Sequence, residues 1–301
     1  MASQAVYASD PAKGWRPWGV LVPFLGIFFV VLTGGPLEYL FADLHLLEGP
    51  HDDPAGLLGF VAFLVGPFGL LALATFAWVR FVERRPFSTI GLTSPGGAAT
   101  FAGGLLTGAL MMCATVGGIW LSGGLTVGAI APAFASAASI GGIALLLAAF
   151  AIQSSAEEIL FRGWMLSALA TKFGTIAAVI VSSAVFTLLH FDRHAPLLVL
   201  FNTYLFALFA CSWSLRTGNI WGVMGWHSAW NWLLGTGFEL RITGLDTHMP
   251  ALLVKLTQTG PGWLTGGADG SEGGVICTVV LCAGIAWNFW WKRAAARLST
   301  P

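Results

Sequence analysis

Six ionisable or amide side chains fall in segments that lipid should have kept apolar. Glu157, Glu158 and Arg162 lie in SSAEEILFRGW, His190 closes AVFTLLHF, and His227 and Asn231 lie in GWHSAWNW. A charged group at bilayer depth costs at least ~2.5–3.5 kcal/mol on insertion scales, so each of these positions needs a reason. Glu158 and Arg162 are four apart in the favourable acid-first order, one above the other on a helix face. Glu157 is rotated ~100° from Glu158, so it points elsewhere and lacks that partner. His227 and Asn231 are also four apart, as are Phe186 and His190. A carboxylate, two imidazoles and an amide around a hydrated cavity suit water activation and amide-bond hydrolysis. A coupled Glu–His pair is the natural water-activating unit. The remaining His and Asn are donors suited to a developing oxyanion. Ser154, Ser155, Ser182 and Ser183 are nearby, but none pairs with a His and a Lys or Asp at useful spacing. The alternative is a buried salt-bridge network that only holds helices together.

These residues must be positioned by membrane helices. The chain has 301 residues, 56% of them hydrophobic and only 9% charged, where a soluble domain carries about 25%. A soluble fold of this size could not hide so much apolar surface. Fourteen basic residues balance fourteen acidic ones, so there is no basic field for nucleic acid. Stretches free of charge predict eight spans in one polytopic domain, 1–301, at about 18–40, 56–80, 98–121, 141–170, 174–191, 195–215, 218–236 and 275–291. Period-two alternation is absent, which argues against a membrane β-barrel. The expected fold is an all-α bundle of about eight transmembrane helices around a buried polar cavity. Measured from the turns near 170–174 and 216–218, Glu157, His190, Asn231 and His227 stand roughly 20, 25, 20 and 14 Å up their helices. They can converge at one level, with Arg162 lower.

Orientation follows from Lys and Arg. With a cytoplasmic N-terminus, Lys13, Arg16, Arg80, Arg84, Arg85, Arg162, Lys172, Arg216, Lys292, Arg293 and Arg297 fall on the inner side. Only Arg193, Arg241 and Lys255 fall outside. Both termini are therefore expected in the cytoplasm, and the protein in the plasma or inner membrane. Loop 42–53 carries Asp43, Glu48, Asp52 and Asp53 without a basic residue, as an outer loop can. Cys113, Cys211, Cys277 and Cys282 sit in apolar spans without a CxxC pair and are expected to be small core residues. Gly104–Gly108 and Gly218–Gly222 have GxxxG spacing, to which a packing role is assigned. The polar, Gly-rich stretch 237–275 is either a flexible outer loop or a surface-lying lid.

The EExxxR of Glu157–Arg162, the FxxxH of Phe186–His190 and the HxxxN of His227–Asn231 resemble the three motifs of the CPBP family, in the family order. These are the CAAX-protease and bacteriocin-processing (Abi) intramembrane endopeptidases, related to the prenyl-protein endopeptidase Rce. The motif core spans 154–231. The resemblance implies an eight-helix bundle with a conical cavity open to membrane and cytoplasm. It implies that Glu157 and His190 activate water while His227 and Asn231 stabilise the oxyanion, with Glu158, Arg162 and Phe186 supporting. No cofactor is certain. Zinc held by Glu158, His190 and His227 stays open as the metalloprotease alternative. The implied substrates are membrane-associated or CAAX-like proteins or peptides, and the lipid bilayer is the other partner. Two rival classes remain: a non-enzymatic scaffold or bacteriocin self-immunity factor, and a proton-coupled transporter, although no repeat symmetry relates the two halves.

Overall fold

In lipid every backbone polar group must find its partner within its own segment, so the apolar runs fold as helices. The computed structural model describes residues 6–7, 13–49, 53–93, 96–191 and 194–298; Asp52 and Arg193 lie outside them. The helices are α1 Val22–Asp43, α2 Gly56–Ala77, α3 Gly97–Leu121, α4 Ala137–Glu158, α5 Leu166–Leu189, α6 Leu197–Thr217, α7 Trp221–Trp232 and α8 Val275–Leu298. A single turn, Gly262–Thr265, lies between α7 and α8. The chain is an all-α membrane protein. Among the described residues, five helical stretches are long and apolar enough to cross a bilayer.

One of those stretches, Ala137–Leu189, is 53 residues long and has two arms. It runs through α4, a π-helical segment Ile159–Met165 and the start of α5, then turns at Gly174 (φ 79°, ψ 164°). Only glycine adopts that backbone conformation cheaply. The two arms pack on each other: Ser182 Oγ donates to the Phe161 carbonyl at 2.9 Å, and the Phe161 and Phe186 rings meet edge-on at 5.2 Å. This hairpin brings the EExxxR and FxxxH segments together.

Helix α7, with His227 and Asn231, has 12 residues and continues into a π-helical segment, Leu233–Gly237. Gly222 through Asn231 are all buried, so the helix sits inside the bundle against α3 and α4 rather than against lipid. The close approach to α3 depends on glycine. A Cβ on Gly104 would lie 2.1 Å from the Gly222 carbonyl oxygen, one on Gly108 2.2 Å from that of Trp226, and one on Gly225 2.0 Å from that of Phe101. The GxxxG pair in α3 packs backbone on backbone, as assigned. Gly218 does not: it caps α6 at φ 71° with nothing within 4 Å of its added Cβ, and its role is conformational.

At the end of the bundle that carries the termini, buried Glu83 accepts hydrogen bonds from Trp78 Nε1 (2.9 Å), Trp164 Nε1 (2.7 Å) and Arg85 Nε (2.6 Å). This ties the α2–α3 connection to the hairpin below the motifs. At the opposite end, two short antiparallel pairings join connecting segments, Leu47–Glu48 with Asp53–Pro54 and Leu125–Ile130 with Val254–Gln258. The second was not expected from the sequence. It fixes the 237–275 stretch, helped by an ion pair between Lys255 and Glu239, so that stretch is neither wholly loop nor unattached. Cys211 and Cys277 are buried as expected, but Cys113 and Cys282 are exposed on the bundle's outer surface.

The glycine seam yields a test. Gly108→Leu should force α3 off α7, with overpacking destabilising by about 1–3 kcal/mol or more, read as a lower melting temperature in detergent. Gly103→Leu, one position before the seam with open space around its added Cβ, should melt like wild type.

Candidate active site

Residues of α2, α4, α5, α6, α7 and α8 surround a cavity with about 210 Å³ of space for water-sized groups. Its wall is largely aromatic, with Phe60, Phe63, Phe150, Phe186, Phe206 and Trp230. Glu157, His190, His227, Asn231 and Gln153 supply the polar groups. Behind this lining lies Glu158, which is fully buried. Its Oε1 accepts from Arg162 Nη1 at 3.2 Å and lies 2.8 Å from His227 Nδ1. A carboxylate facing a ring nitrogen at that distance accepts from Nδ1–H, so the ring is held with Nε2 facing the cavity. Nε2 lies 3.7 Å from Glu157 Oε2. Glu157 Oε2 is buried and has no hydrogen-bond partner among the described residues. His227 therefore stands between two adjacent glutamates, braced by one and facing the other.

His190 occupies another part of the wall. Its Nδ1 lies 2.8 Å from the Phe186 carbonyl oxygen, which can only accept, so Nδ1 carries the proton and Nε2 is the basic nitrogen. No ion pair within 4.0 Å joins His190 to Glu157 among the described residues. The two face a shared space instead of touching. Phe186 packs between two cationic or ionisable groups: the Arg162 guanidinium lies 4.3 Å from its ring centroid and the His190 ring 4.4 Å. Arg162 is itself fully buried, and its Nε and Nη2 have no hydrogen-bond partner among the described residues. The Phe of FxxxH thus substitutes a ring face for missing acceptors.

Asn231 Nδ2 donates to Gln153 Oε1 at 3.2 Å, which also accepts from Ser154 Oγ at 3.0 Å. Gln153 was not singled out in the sequence, yet it stands four residues before Glu157 on the same helix face. Phe206 was also missed; it stacks on Phe186 (6.0 Å) and meets His227 edge-on (4.8 Å).

The proposed zinc set does not assemble. Among the described residues no group of three His, Cys, Asp or Glu side chains is placed to hold a metal. Glu158 and His227 hydrogen-bond each other, His190 is bonded to Phe186, and the Arg162 cation already occupies the Glu158 carboxylate. A second cation there would meet a guanidinium at close range.

Above the cavity, Ile242, Thr243, Leu245, Asp269, Glu272 and Gly273 of the α7–α8 connection complete the lining. Glu272 anchors this lid. Its carboxylate accepts from Trp230 Nε1 (2.7 Å), Thr243 N (3.1 Å) and Thr243 Oγ1 (3.2 Å). Asn202 Nδ2 donates to the Glu272 and Gly274 carbonyls at 2.7 and 2.9 Å. Burial pushes the Glu272 carboxyl above the usual carboxylate range, and those donors oppose the shift. The lid lies at the end of the bundle opposite the termini.

Residues 139–233, which carry every polar group of the cavity floor, match the family described as Type II CAAX prenyl endopeptidase Rce1-like. That segment is similar to Rce1-like endopeptidases. It covers about a third of the chain, from the start of α4 to the end of α7. No curated protein and no solved structure matches the chain. The Rce1-like match supports a CAAX-type intramembrane protease in general, acting on membrane-associated protein.

Within the Rce1-like segment, Glu158 should be needed for folding. Glu158→Gln leaves Arg162 with no carboxylate and His227 without its brace. Breaking a buried pair of this kind destabilises by about 3–5 kcal/mol. The variant should melt early in detergent, and adding Arg162→Met should restore part of the loss by removing the stranded charge.

Proposed function

We propose that this protein is an intramembrane endopeptidase in which Glu157 activates a water molecule for attack on a peptide carbonyl. The observation that carries this proposal is the pair of Glu157 Oε2, buried without a hydrogen bond, and His227 Nε2, 3.7 Å away at the cavity floor. Water in the cavity is oriented by the unprotonated Nε2 of His190 and gives its proton to Glu157 as its oxygen bonds to the carbonyl carbon. The carbonyl oxygen becomes an oxyanion, which His227 meets through Nε2–H and Asn231 through the N–H that Gln153 does not use. When the C–N bond breaks, Glu157 passes its proton to the departing amine. Atoms and charge balance without a covalent enzyme intermediate. Glu158, Arg162 and Phe186 are positioning residues: they hold His227 and His190 and do not touch the reacting atoms.

The test uses purified protein and membrane-peptide substrates. Glu157→Gln keeps size but removes the base, and should reduce cleavage by about 10²–10⁴-fold with the melting temperature near that of wild type. A Glu157→Gln enzyme that cleaves normally would overturn the assignment. Exhaustive chelation should leave the wild-type rate unchanged. Loss of activity that zinc alone restores would show instead that Glu158, His190 and His227 rearrange into ligands.

A further inference from the structure

The two ends of the bundle differ sharply in charge. Ten Lys and Arg belong to the end with the termini: Lys13 and Arg16, the Arg80–Arg85 group, Lys172, Arg216 and the last turns of α8. Among the described residues the other end has two, Arg241 and Lys255, and seven acids, including Glu48, Asp53, Asp246, Asp269 and Glu272. Acids contribute little to membrane orientation, but a ten-to-two division of basic residues in short segments next to spans places the basic end in the cytoplasm. The cavity does not open at that end. Its polar lining there, Gln153, Glu157, His227 and Asn231, is backed by the fully buried Glu158 and Arg162, and the Glu83 cluster lies between them and that end. At the opposite end it is lined by Thr243, Asp269 and Gly273 of the lid, by His190 at the end of α5, and by Val199 and Asn202 at the start of α6.

We infer that the cavity opens on the non-cytoplasmic face of the membrane, and that the enzyme takes apolar peptide segments presented from that side. Its substrates are then exported or membrane-inserted chains, not the cytoplasmic tails of proteins held at the inner leaflet. The aromatic wall sets the chemistry of the segment admitted: apolar side chains find Phe60, Phe63, Phe68 and Phe150, and the scissile amide meets the polar floor. The word substrate rests on the proteolytic proposal above, but the sidedness does not, because it comes only from charge distribution and cavity position.

The experiment keeps the two apart. Single cysteines are introduced at Thr257 and Thr243 on the lid end and at Ser88 on the terminus end, all exposed positions. Intact cells are treated with a membrane-impermeant maleimide, with the parent protein as control for the native thiols. Thr257→Cys and Thr243→Cys should label in intact cells, and Ser88→Cys only after permeabilisation. The reverse pattern, or labelling from both sides, would overturn the inference. Right-side-out and inverted vesicles are then given an impermeant apolar peptide with a charged tail. Cleavage by right-side-out vesicles alone supports the substrate class, and cleavage by inverted vesicles alone overturns it. If labelling is sided as expected and neither preparation cleaves, the outward opening stands and the endopeptidase proposal falls.

Discussion

One buried oxygen, Glu158 Oε1, organises the centre of this molecule. It holds Arg162 from its own helix and His227 from α7 at 3.2 and 2.8 Å. A carboxylate between a guanidinium and an imidazole, with no solvent to screen it, turns three charges that lipid would reject into a single fixed unit. The orientation of the His227 ring follows from it, and so does the direction of Nε2 towards Glu157. Arg162, pulled inward by the same oxygen, lies over the Phe186 ring, and Phe186 supplies through its carbonyl the bond that sets the tautomer of His190. The His227 imidazole thus owes its orientation to this one side chain, while that of His190 is set by the α5 backbone.

Such a unit requires helices that cannot drift. The glycine contacts between α3 and α7 provide this by bringing backbones together, where side-chain packing would leave play. Each polar helix then relaxes just beyond its functional residues: α4 passes into a π-segment after Glu158, and α7 into another after Trp232. A π-turn widens the helix locally and changes which face its residues present; the seven residues from Ile159 to Met165 are all buried.

What the sequence made legible were relations within one helix. The four-residue spacings of Glu158 with Arg162 and of Phe186 with His190 translate directly into contacts, and the same rule applied to Gln153 and Glu157 would have exposed Gln153. Relations between helices were not legible. Nothing local in Phe206 says that it meets both Phe186 and His227, and nothing in AVFTLLHF says that Phe186 stacks on Arg162. The pairing of Leu125–Ile130 with Val254–Gln258 joins segments more than a hundred residues apart, and neither declares itself a strand. Cys113 and Cys282 face outward because lipid, being as apolar as a protein core, exerts no pressure to bury them. The position of the cavity mouth was hidden for a related reason: it depends on how connecting segments fold over the bundle, and hydropathy describes only the spans.

The lid is bonded to Trp230 through Glu272, and Trp230 lies one residue before Asn231 and three after His227. A peptide wide enough to need the lid lifted must therefore pull on the helix whose alignment the reaction requires. Admission and alignment share one mechanical linkage, so the groups regain their working geometry only as the lid settles back over an occupied cavity. Discrimination between peptides would then lie less in how tightly each is held than in whether the lid can close on it.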